Sequence, residues 1–123
     1  MTRGRELPGA GESREDPAAA VRREFAAGLG ERLGTMRQAL TVLAGGYDQG
    51  MGELFYLKAH ALKGTAASFG AGEVAGYAAR LADLGRRWME HRQVGPAESA
   101  EAWAELDRLG AAVARYQAAE GGA

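Results

Sequence analysis

Residues 48–70 read DQGMGELFYLKAHALKGTAASFG, and this stretch decides the fold. Its apolar residues recur at offsets of four, four, three, four and three: Met51, Phe55, Ala59, Leu62, Ala66 and Phe69. At about 100° per residue, these offsets keep the side chains on one narrow face of an α-helix. Asp48 has a side chain suited to an N-cap, and Gly70 follows the last apolar residue as a helix stop. The stretch therefore predicts an amphipathic helix with one buried stripe.

Three further stretches carry the same helical spacing, over about residues 16–44, 71–91 and 97–119. The first begins at Asp16-Pro17, where Asp can cap free backbone amides and Pro is tolerated at the first helical position. The inward residues expected on these helices are Phe25, Leu29, Leu33, Met36, Leu40 and Leu43, then Val74, Tyr77, Leu81, Leu84 and Trp88, then Ala102, Leu106, Leu109, Val113 and Tyr116.

Four amphipathic helices with short connections can bury their stripes against one another. The predicted fold is all-α, an up-down-up-down antiparallel four-helix bundle over residues 16–119. Residues 1–15 hold Gly, Pro, Arg and Glu with little to bury, so we expect a flexible, disordered N-terminal tail. Residues 120–123 are expected to form a short C-terminal tail.

The composition excludes several classes of function. The chain has 123 residues, with 15 basic and 16 acidic side chains and a net charge of -1, so nucleic acid is not an expected partner. No apolar run approaches the roughly 20 residues of a membrane span. The absence of cysteine removes thiolate metal sites, and we expect a cytoplasmic protein with no metal and no membrane partner. No Walker-type loop is present, so the chain is not expected to be an enzyme with its own ATP site.

The side of the second helix opposite its stripe has an unusual composition. His60 projects about 140° from the centre of the buried stripe, and Gly64 lies nearly opposite that centre. The same outer side carries Tyr56, Leu57 and Ala67. Lys63 is a helical neighbour of His60, and Gly64 leaves the edge of the imidazole uncrowded. The pattern favours a docking surface beside an accessible imidazole, although an ordinary exposed histidine next to a solvated lysine fits these residues as well.

Residues 59–70, AHALKGTAASFG, resemble the signature of histidine-containing phosphotransfer domains, the Hpt family. The likeness combines His-x-x-Lys-Gly with a small-residue stretch and a closing Gly, and it extends loosely over residues 20–117. The resemblance implies a four-helix bundle whose exposed histidine takes a phosphoryl group from an aspartyl phosphate on a receiver domain and passes it onward.

Position by position, the resemblance implies that His60 is the phosphoacceptor and that Lys63 helps to hold the phosphoryl oxygens. Gly64 would give access, and the receiver's docking site would be bordered by Tyr56, Leu57, Ala67 and Ser68. The expected partners are response-regulator receiver domains and a hybrid sensor kinase. We expect the protein to be a monomer. We also expect no cofactor of its own, because the receiver would bring the Mg²⁺.

One position departs from the family pattern. Family members often place Glu or Gln on the third helix, where it can orient the active histidine, and the matching residue here is Ala82. Orientation of His60 would then fall to water, to Asp83 or to Arg86, and the sequence does not choose among them. Ala82 also supports an alternative function, an adaptor bundle that binds receivers or other partners without phosphotransfer.

Overall fold

The computed structural model describes residues 16–121. This part of the chain folds into four α-helices and contains no strand: α1 (Pro17–Ala44), α2 (Gln49–Ser68), α3 (Gly72–His91) and α4 (Pro96–Gly121). The predicted all-α class is confirmed. No helix within these residues combines the length and hydropathy that a membrane span requires.

Both predicted N-caps form. The Asp16 carboxylate accepts a hydrogen bond from the Ala19 backbone N–H at 2.7 Å, directly before α1. Asp48 accepts from the Met51 N–H at 2.8 Å at the start of α2. These bonds satisfy amides that have no partner within the first helical turn. At the other end of α2, Gly70 has a φ of 73°, a left-handed conformation that glycine adopts without strain and that turns the chain toward α3.

Each helix packs against its neighbours in sequence, and α4 also packs against α1, which closes the bundle. Polar side-chain contacts between α3 and α4 include Glu73 with Arg115, Arg80 with Glu105, and Trp88 with Glu98. Residue numbers rise on one helix as they fall on the other, which is the order expected for antiparallel neighbours. Connections of a few residues also cannot return along a helix about 30 Å long.

The predicted stripes supply most of the core. All six inward residues expected on α1 are buried, and so are Phe55, Ala59, Leu62, Ala66, Val74, Leu81, Leu84, Trp88, Ala102, Leu106, Leu109 and Val113. Four residues expected inside are only partly buried against the core: Met51, Phe69, Tyr77 and Tyr116. Met51, Phe69 and Tyr116 lie near helix ends, where fewer neighbours cover them, and the Tyr77 ring is covered by the Arg80 guanidinium at 5.2 Å.

The C-terminal boundary differs from the expectation. Helix α4 continues through Gly121, so residues 120 and 121 belong to this helix and not to a tail. Glu120 pairs with Arg22 of α1 at 3.5 Å, and the Gln117 side chain donates a hydrogen bond to the Ala26 carbonyl at 2.9 Å. These polar contacts hold the end of α4, and an apolar pattern does not reveal them. The tail expected at residues 1–15 lies outside the described residues.

Candidate functional site

Helix α2 presents His60 on the surface of the bundle. The residues around it in sequence, Phe55, Ala59 and Leu62, are fully buried and fix the rotation of the helix. His60 follows Ala59 by one residue, about 100° around the helix, and is exposed. A long, well-packed helix therefore holds an imidazole where another protein can reach it.

In the part of the chain that the structure describes, one ring contact involves the His60 imidazole. The Tyr56 ring, one helical turn earlier, stacks on it with a centroid separation of 5.5 Å and an interplanar angle of 21°. Tyr56 was expected on the outer surface, yet it is partly buried and packs against the core. It lies on the side of α2 that faces α3. Tyr56 therefore connects the exposed imidazole with the interface between α2 and α3.

Gly64 opens the surface on the other side of His60. A Cβ placed at this glycine would meet no heavy atom within 4 Å apart from its adjoining helix backbone. The packing of the bundle therefore does not require glycine at this position. Glycine inside a helix costs about 1 kcal/mol relative to alanine. Glycine at this position leaves open space one helical turn after His60.

Lys63 supplies a positive charge next to this space. Its side chain is partly buried, and within residues 16–121 neither Lys63 nor Lys58 forms an ion pair. Most of the arginines with a partner in this region are paired with carboxylates of the bundle. The Lys63 ammonium is thus available to an incoming anion.

The α2 surface near His60 carries exposed apolar and small side chains. Leu57 is 59% exposed, and Ala67 and Ser68 are exposed as predicted. The Ser68 hydroxyl donates to the Gly64 carbonyl at 3.1 Å, and the Thr65 hydroxyl donates to the Ala61 carbonyl at 2.9 Å. Both hydroxyl protons are thus used within the helix, and Leu57 and Ala67 supply apolar contacts to a partner on this surface.

Neither of the two side chains expected to orient His60 forms a hydrogen bond to it within residues 16–121. Asp83 pairs with Arg86 at 3.7 Å, and Arg86 also contacts Glu90 at 3.3 Å, so the three form an exposed ladder along α3. Ala82 is buried and offers no polar side-chain atom.

Sequence reasoning missed Gly85 on α3. A Cβ at this position would lie 3.2 Å from the Tyr56 Cα and 3.2 Å from the Phe55 ring. Glycine thus allows α3 to approach the backbone of α2 next to the Tyr56 ring. The available signal was a glycine one turn after Leu81, on the buried side of an amphipathic helix.

The groups with perturbed pKa values lie away from this surface, on α3 and α4. A hydrogen bond from Arg115 lowers the pKa of Glu73, and the same carboxylate raises the pKa of Arg115. Burial raises the pKa of the Tyr116 hydroxyl. Among residues 16–121, no group of three or more His, Cys, Asp or Glu side chains is placed to hold a metal ion.

The comparison with protein families agrees with this geometry. The family model described as Hpt domain matches residues 20–119, which is most of the chain and all of the α2 surface. No curated protein and no solved structure matches the chain. With an exposed histidine on a helical bundle and a family match along nearly its whole length, the chain belongs to the Hpt domain family, whose members carry phosphoryl groups in two-component signalling.

Proposed function

We propose that this chain is a phosphorelay intermediate. It accepts a phosphoryl group on His60 from the aspartyl phosphate of a response-regulator receiver domain and passes the group to another receiver. The observation that carries the proposal is the exposed His60 imidazole on α2, with open space at Gly64 and, within residues 16–121, no ion pair at the neighbouring Lys63.

The transfer exchanges one bond for another. A lone pair on one imidazole nitrogen attacks phosphorus, and the N–P bond forms as the P–O bond to the receiver aspartate breaks. The electron pair of that bond leaves on the aspartate carboxylate, and the proton on the second ring nitrogen stays in place during the step. The reverse reaction delivers the group to the next receiver. Such a loose transition state depends mainly on in-line positioning and charge neutralisation.

Lys63 supports the phosphoryl oxygens during and after transfer. Its ammonium is a mobile point charge, which suits an anion that arrives and leaves. At about 4 Å in a solvated setting, such a charge contributes about 1 kcal/mol. The receiver supplies Mg²⁺ and most of the cationic groups, so Lys63 assists the reaction without being indispensable to it.

The apolar surface around His60 is the proposed docking site. Leu57, Ala67 and Ser68 would border the docked receiver, and Gly64 would let the receiver's acyl phosphate come close to the imidazole. A shuttle has to release each partner after transfer, so a small interface with a few apolar contacts suits this role. A hybrid sensor kinase is the proposed source of the phosphoryl group, delivered through a receiver domain.

The second candidate function is an adaptor that binds receivers without taking phosphate. Ala82 favours it, because this buried alanine cannot hydrogen-bond to the histidine through its side chain. The two functions share the docking surface and differ in whether His60 forms a covalent bond to phosphorus.

Incubation with a receiver domain carrying radiolabelled aspartyl phosphate separates the two functions. We expect the wild-type chain to acquire an acid-labile, alkali-stable label and His60→Gln to acquire none. His91→Gln is the matched control, because His91 is also exposed but lies at the end of α3. Binding of the receiver without label transfer, for every receiver encoded alongside the protein, would support the adaptor and reject the relay.

A further inference from the structure

The His60 imidazole lacks a polar partner within the part of the chain that the structure describes. Asp83 and Arg86 pair with each other, and Ala82 carries no polar side-chain atom. An exposed side chain with two free torsions samples several rotamers unless a neighbour restricts it. The stack with Tyr56, at 5.5 Å and 21°, is the contact that restricts this ring.

Tyr56 is itself held in place. Its side chain is partly buried, and its neighbour Phe55 is fully buried and packs against the Trp88 ring at a centroid distance of 5.6 Å. Gly85 brings α3 so close that a Cβ there would lie 3.2 Å from the Tyr56 Cα. Because the backbone of Tyr56 lies in this tight contact, its ring is a firm support for the imidazole.

We propose that Tyr56 is the positioning residue for His60, an inference that rests on the phosphoacceptor role proposed above. The near-parallel stack holds the plane of the imidazole through its face. Both ring nitrogens lie on the edge of the ring, so the stack leaves them open to phosphorus and to solvent. A polar partner would instead occupy one nitrogen. The transfer rate thus depends on a ring contact within α2.

The geometry explains how the chain functions with alanine at position 82. Restricting a nucleophile to a reactive orientation raises the rate without a new chemical group. An aromatic contact of this kind changes an equilibrium between orientations by about two- to tenfold. The expected loss on removing the Tyr56 ring lies in this range, well short of abolishing transfer.

The test compares Tyr56→Leu with Tyr56→Phe in label transfer from a phosphorylated receiver, measured over a range of receiver concentrations. We expect Tyr56→Leu to lower the maximal rate about two- to tenfold with an unchanged apparent KM. Tyr56→Phe retains the ring and is expected to transfer at the wild-type rate. Tyr77→Leu is the matched control, because it removes a partly buried tyrosine whose ring contacts Arg80 and not His60.

Circular dichroism and thermal unfolding establish that each variant is folded, and Tyr56→Met replaces Tyr56→Leu if the leucine variant does not fold. A higher KM with an unchanged maximal rate would make Tyr56 a docking residue and overturn the inference. An equal loss in Tyr56→Phe and Tyr56→Leu would assign the effect to the hydroxyl and overturn it too. Absence of label on the wild-type chain rejects the proposed function itself, whereas a labelled wild type with an unaffected Tyr56→Leu rejects only the positioning role.

Discussion

At the scale of single residues, no packing contact requires glycine at position 64, and no ion pair within residues 16–121 requires lysine at position 63. Gly64 faces open space, and Lys63 has no ion-pair partner within residues 16–121. Substitutions at these positions should therefore alter transfer without damaging the bundle. This separation allows function to be tested independently of stability.

We predict that Gly64→Ala stabilises the protein and impairs phosphotransfer. Alanine is favoured over glycine in a helix by about 0.5–1 kcal/mol, and its methyl group meets no neighbour here. The same methyl group narrows the approach to His60. Urea unfolding and label transfer give the two measurements. Gly76→Ala, at an exposed α3 glycine that also faces open space, should be stabilising with normal transfer. Wild-type transfer by Gly64→Ala would contradict the access role.

Lys63→Ala should slow transfer by about fivefold and shorten the lifetime of phosphohistidine, since a charge at about 4 Å in water is worth about 1 kcal/mol. Label transfer and label decay are measured in parallel. Lys58→Ala, which removes the other lysine of the chain, serves as the control and should have little effect. Complete loss of phosphorylation in a folded Lys63→Ala protein would show that the contribution of Lys63 is larger than electrostatics in water allow.

At the scale of the elements, the contact between α2 and α3 determines how the site is supported. Gly85 occupies the buried side of α3, and α2 approaches it through Phe55 and Tyr56. Two helices can pack this closely only where a small residue lies between their backbones. The stack on His60 is thus an indirect product of helix packing.

We predict that Gly85→Ala destabilises the bundle, although alanine is the better helix former. The added Cβ would lie 3.2 Å from the Tyr56 Cα, and a helix backbone cannot yield as a flexible side chain does. Overpacking costs about 1–3 kcal/mol, which exceeds the gain of about 1 kcal/mol in helix propensity. Urea unfolding provides the measurement, with Gly76→Ala as the stabilised reference. An unfolding free energy above that of the wild type would show that the helices can separate without cost.

At the scale of the whole molecule, polar contacts between distant segments close the bundle. The Arg115 side chain donates two hydrogen bonds to Glu73, at 3.0 and 2.7 Å, and joins the end of α4 to the start of α3. The bond from Arg115 lowers the pKa of Glu73 in the folded state. Arg22 and Glu120 join α4 to α1 in a similar way.

The ion pair between Glu73 and Arg115 predicts that the stability of the fold depends on pH. Because the pKa of Glu73 is lower in the folded state than in the unfolded state, its contribution is complete above the ordinary carboxyl pKa of about 4.3. The contribution is lost as the pH falls through the folded-state value. Glu73→Gln should therefore be less stable than the wild type at pH 7, with a difference that shrinks below about pH 4. The effect should be small, because both side chains are exposed.

Denaturant unfolding at several pH values measures this difference. Glu101→Gln is the control for loss of an exposed carboxylate on the same bundle. A difference between Glu73→Gln and the wild type that stays constant from pH 7 to acid would show that the pair does not stabilise the fold through ionisation.

The sequence alone determined the four helices, their N-caps at Asp16 and Asp48, and the outward direction of His60. These features follow from the helical spacing of about 100° per residue and from hydrogen bonds between side chains and backbone amides three residues apart. Both signals lie between residues that are close together in the sequence. The tertiary structure alone decided that α3 contacts Tyr56 through Gly85, that Asp83 and Arg86 pair with each other, and that Glu120 extends α4 against α1. Such outcomes depend on which helices become neighbours and in what register. The spacing of apolar residues is read within one helix at a time and carries no information about contacts between helices.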